Sequence, residues 1–113
     1  MALRRAIVLA AAFATAAPCA AGEPDVPRQR QLLRMVRQDC GSCHGMRLTG
    51  GLGPALTREA LADRPAESIA ATIEHGRPGT PMPPWRALLA AGEAQWIAQQ
   101  LIGGLPDLPG APP

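Results

Sequence analysis

The chain has 113 residues with eleven basic and nine acidic side chains, and it contains neither lysine nor tyrosine. That length holds one domain. Two of the basic residues, Arg4 and Arg5, fall in an export segment, so the remainder balances nine against nine and lacks the basic footprint that nucleic-acid binding requires.

Residues 1–21 read as a secretory signal. Arg4 and Arg5 precede the apolar run 6–17, and the small residues Cys19, Ala20, Ala21 and Gly22 follow, with cleavage expected near 21/22. The apolar run is too short to cross a bilayer, so the mature protein is expected to be exported to the periplasm as a monomer without stable membrane insertion. Lipid modification of Cys19 is the competing reading, and Pro18 directly before it fits that processing poorly. The domain itself is expected over 22–104, and the proline-rich stretch 105–113 reads as a flexible tail.

Residues 23–27 read as an extended lead-in. Pro27 suits a first helical turn, and a helix is expected over about 28–39, with Leu32, Leu33, Met35 and Val36 as its apolar face. Four glycines between 45 and 53 predict a loop. Thr57 is placed to cap a short helical piece over 58–62. A helix follows from Pro65, with Ala66, Ile69, Ala70 and Ile73 in helical register and Gly76 as its stop. Four prolines over 77–84 exclude regular structure, and a last helix spans about 92–102 with Ala94, Ile97, Ala98 and Leu101 on one face. Its start carries no Ser, Thr or Asp cap. No strand or internal repeat is evident, so the predicted class is all-α.

The chemistry lies in Cys40-Gly41-Ser42-Cys43-His44, a C-x-x-C-H run of the kind that attaches haem covalently. Two thiols at this spacing reach two vinyl groups of one porphyrin, and the next residue presents an imidazole to the iron. A structural zinc site would need four ligands, and the other histidine, His75, does not complete the set. A thioredoxin-like dithiol would need a βαβ context that is missing. A disulfide closing so short a loop would add little stability. After the signal, the aromatic residues are Trp85 and Trp96 alone. A core this poor in bulky side chains is marginal without help, and a buried porphyrin would complete it.

Haem iron takes a sixth ligand or keeps an open position. Met46 is too close to His44 to reach the opposite face, Met35 belongs to the apolar face of the first helix, and His75 reads as a surface residue. Met82, held among Pro81, Pro83 and Pro84, is the expected ligand; packing under a proline loop is the alternative. The Gly53-Pro54 turn is placed to offer the Pro54 carbonyl to the second ring nitrogen of His44. Trp85 and Arg77 are candidates to meet the porphyrin edge and a propionate.

The helix, Cys40-Gly41-Ser42-Cys43-His44, Gly53-Pro54-Ala55-Leu56, the Met82 loop and the final amphipathic helix resemble a small class I c-type cytochrome. The likeness covers nearly all of the chain after the signal. It implies a helical domain wrapped around one haem c, with Cys40 and Cys43 as thioether residues, His44 and Met82 as axial iron ligands, and Pro54 supporting His44. The phrases from Asp39 to Pro54 and from Gly76 to Trp85 are similar to the NirC-type cytochromes (cytochrome c55X) of denitrifying bacteria. That likeness implies a periplasmic one-electron carrier, not an enzyme, serving haem cd1 nitrite reductase as redox partner. An accessory role with the proteins that assemble haem d1 is one alternative. A haem sensor or enzyme with a labile sixth ligand is another.

Overall fold

A computed structural model describes residues 22–106, all of it helices, turns and loops. The signal segment 1–21 and the tail beyond Pro106 lie outside the described residues. No helix among those described is long and apolar enough to cross a membrane.

Helix α1 spans Val26–Met35 and begins two residues before the sequence pattern predicts. The reason is Asp25, whose Oδ1 accepts the Arg28 N–H at 2.9 Å while its backbone stays extended, as an N-cap requires. The 23–27 lead-in therefore already holds the cap and the first turn. After Met35 the helix widens into a π turn, Val36–Cys40, and then tightens into one α-helical turn, α2, Gly41–His44. The cysteines and the histidine thus ride on the end of one continuous coil.

The helix expected over 58–62 forms a run of turns instead. Thr57 does cap it, its Oγ1 accepting from the Ala60 N–H. Elongation stops because Pro65 disfavours helical geometry at Arg64, and Leu61 is the one residue of the run that is buried.

Helix α3, Ala66–His75, buries Ile69, Ala70 and Ile73 and ends at Gly76. Gly76 has φ +67°, and a Cβ there would stand 2.6 Å from the Met82 carbonyl oxygen; glycine is the residue that permits this crossing. A 3₁₀ turn, Arg86–Leu88, leads to α4, Glu93–Gly103, which buries Ala94, Trp96, Ile97, Ala98 and Leu101. Helices α3 and α4 pack against each other.

The start of α4 is tied down by a charged residue. Glu93 accepts from the Ala90 N–H and takes a two-pronged bond from Arg28, Nε to Oε1 at 2.8 Å and Nη2 to Oε2 at 2.7 Å. This clamp joins the first turns of α1 and α4.

Candidate functional site: an apolar cavity edged by thiols, an imidazole and a thioether

Part of the aliphatic surface that α3 and α4 bury faces a cavity. Ile69, Ile73, Ile97 and Leu101 line a cavity of about 530 Å³, a size typical of sites for small organic ligands. Cys40, Cys43, His44 and Met82 line the same cavity. The fold thus carries Met82, 38 positions beyond His44, back to the motif.

Each of these side chains has an identifiable support. His44 is buried at the end of α2, and its Nδ1 lies 2.6 Å from the Pro54 carbonyl oxygen. That bond makes Nδ1 the protonated nitrogen and leaves Nε2 as the free lone pair. Gly53 presses on the same ring: a Cβ there would stand 2.7 Å from Cε1 and from Nδ1. Cys40 and Cys43 are both free thiols. Burial, aided by the charge of Asp39, pushes the Cys40 thiol up to about 11, so the folded pocket holds it neutral.

The Met82 loop is pinned at both ends. Its carbonyl accepts the Arg77 N–H at 3.2 Å, its own N–H donates to Thr80 Oγ1 at 3.3 Å, and the Trp85 N–H reaches the Ile73 carbonyl at 2.9 Å. Thr80, which in turn donates to the Arg77 carbonyl, is a loop-forming residue that the proline pattern alone does not reveal. Met35 packs beside the core, Met46 is exposed, and His75 is exposed beside Glu74. None of the three lines the cavity.

Arg77 and Trp85 both line it, and so does Arg64, which the sequence pattern does not single out. Neither guanidinium nor the Trp85 indole N–H has a partner among the described residues. A mostly aliphatic cavity with polar donors at its rim, two thiols, an imidazole and a thioether suits a haem in shape and in donor chemistry. No group of His, Cys, Asp and Glu among the described residues could hold a bare metal ion.

Comparison with known proteins follows the same line. A family model described as "Cytochrome C oxidase, cbb3-type, subunit III" matches residues 27–100. A cytochrome c55X of Pseudomonas aeruginosa is 57% identical over 99 residues, covering 87% of this chain and 83% of that protein. A solved structure of "c-type cytochrome NirC" is 61% identical with a TM-score of 0.69, covering 71% of this chain and 94% of that one. A structure of "Dihydro-heme d1 dehydrogenase NirN in complex with DHE" is 33% identical with a TM-score of 0.58, covering 67% of this chain and 16% of that one.

Proposed function

Because the chain belongs to the cytochrome c55X family of c-type cytochromes, we propose that it is a periplasmic one-electron carrier serving nitrite reductase in denitrification. The haem c supplies an iron centre that cycles between two oxidation states. In this reading Cys40 and Cys43 would hold it covalently, as thioethers to its vinyl groups. His44, through Nε2, and Met82, through its sulfur, would be the residues that hold its iron. Ligation by both residues would leave a substrate no open site on the iron. The protein is an electron carrier, not an enzyme.

The observation that carries the assignment is the convergence of Met82 and His44 on one cavity, with His44 already oriented by Pro54. Arg64, Arg77 and Trp85 are the donors that would meet the propionates at the rim. Leu52, exposed at the mouth, offers a partner an apolar contact in a small, transient encounter of the kind redox proteins make. The test is Met82→Ala: the variant should lose the low-spin spectrum of a thioether-ligated haem and bind carbon monoxide readily. An unchanged spectrum would remove Met82 from the iron.

A second reading, participation in haem d1 assembly, is favoured by the likeness to dihydro-heme d1 dehydrogenase. Deleting the gene separates the two. Nitrite reductase that still acquires haem d1 but is reduced slowly supports the carrier; nitrite reductase lacking haem d1 supports assembly.

A further inference from the structure

Among the described residues Leu48 is the one position other than glycine with a positive φ, at +59°. That left-handed geometry is costly for a leucine and is normally left to Gly, Asn or Asp. Its side chain is as unusual as its backbone. From Gly45 to Pro54 every other residue is exposed or half-buried, whereas Leu48 is 7% exposed and belongs to the hydrophobic core. It lines a small hollow with Leu56 and with Leu105, just past the end of α4.

Both features act on one place. The Leu48 N–H donates to the Gly45 carbonyl, and the Leu48 carbonyl accepts the Leu56 N–H, each at 2.8 Å. Nearer the motif, the Gly53 N–H donates to the Cys43 carbonyl, also at 2.8 Å. Pro54 therefore stands between two ties, to Cys43 before it and to Leu48 after it, and its carbonyl oxygen is 2.6 Å from His44 Nδ1. A glycine at 48 would take the turn freely, but it could not fasten a loop that already holds four glycines to the core. A leucine in ordinary geometry would give the burial without the turn. A costly conformation that the surroundings enforce points to a constraint beyond packing.

We propose that Leu48 is a positioning residue for His44: its buried side chain locks the left-handed turn that keeps the Pro54 carbonyl on Nδ1. The proposal rests on the reading of His44 as a haem ligand and is independent of which protein receives the electron. An imidazole whose outer N–H is bonded is a more basic ligand and favours oxidised iron. Loosening the turn should therefore raise the reduction potential.

The test is hydrogen exchange by NMR on the reduced, haem-loaded protein, comparing the His44 Nδ1 proton with the Ile97 amide in α4. Leu48→Gly keeps the turn accessible and removes the anchor. It should speed exchange at Nδ1 by roughly tenfold or more relative to Ile97, and raise the reduction potential. Leu48→Met, which keeps a long apolar side chain, should retain the parent ratio. Leu48→Ala, the milder truncation, should fall between them and takes the place of Leu48→Gly if that variant does not retain haem. Leu33→Ala, a core truncation outside the haem cavity, should leave the ratio unchanged. Equal acceleration at both protons in the Leu48 truncations, or an unaltered potential, would reduce Leu48 to packing and overturn the proposal alone. A parent protein whose His44 Nδ1 proton shows no haem ring-current shift would overturn the ligand reading, and the proposal with it.

Discussion

The α-carbon of Gly53 sits so close to the His44 imidazole that a methyl group there would lie 2.7 Å from two of its ring atoms. The contact holds the ring from one side while the Pro54 carbonyl holds Nδ1 from another. Gly53→Ala should therefore push the ring off the Pro54 oxygen. Overpacking of this kind costs about 1–3 kcal/mol. Denaturant unfolding of the haem-loaded protein should show a loss in that range. Wild-type stability together with an unaltered spectrum would mean that the loop yields instead.

Gly76→Ala makes the matching prediction on the other side of the cavity. The residue combines a positive φ with a Cβ position 2.6 Å from the Met82 carbonyl, so the loop must shift to admit a methyl group. Weakened Met82 ligation is expected, read as faster carbon monoxide binding than in the parent protein. The fold should survive, because α3 ends before this point.

The Arg28–Glu93 clamp predicts a pH dependence. The Arg28 hydrogen bond is the largest influence on Glu93 and holds its carboxyl below the ordinary carboxylate value. A lowered folded value stabilises the protein above the unfolded value of about 4.3, and that stability is lost as pH falls through the folded one. Glu93→Gln should cost about 1–2 kcal/mol at neutral pH, between the ranges for exposed and buried pairs, since Arg28 is about one-third exposed. The gap between variant and parent should close in acid. Urea unfolding at pH 7 and pH 3 checks this, and a gap that stays constant would rule the clamp out as its source.

Ile97 is 2% exposed, yet it also lines the haem cavity. Ile97→Ala removes atoms from the core and from the wall of the site together, with an expected cost of roughly 2–5 kcal/mol; Ile97→Val should cost roughly 0.5–1.5 kcal/mol. Thermal unfolding of the haem-loaded proteins should rank them in that order.

The parts of the site legible in the sequence are those written in local patterns. Cys40 to His44 is one motif, Pro54 follows a turn, Met82 stands among prolines, and α4 shows its buried face through helical spacing. Asp25 was legible too, as an acid just ahead of Pro27, but the prolines on either side of it suggest extended chain. The Arg28–Glu93 pair joins positions 65 apart, and only tertiary packing brings them together. The turns at 58–62 have a capping residue and helix-forming side chains, yet the proline that follows decides against a helix. Arg64 reads as an ordinary loop arginine until the cavity is seen beside it.

The π turn at Val36–Cys40 has a consequence for how the chain tolerates change. Each residue inserted in or removed from a helix rotates everything beyond it by about 100°, and a π turn holds such a step within the coil. The segment therefore works as a phase setting: α1 can keep Leu32 and Leu33 in the core while the two thiols and the imidazole address the cavity. Exposed Gln38 and Asp39 can be exchanged for other side chains at little cost. Shortening the segment by one residue would swing the motif around the helix axis and leave an intact helix pointing its chemistry at the wrong wall.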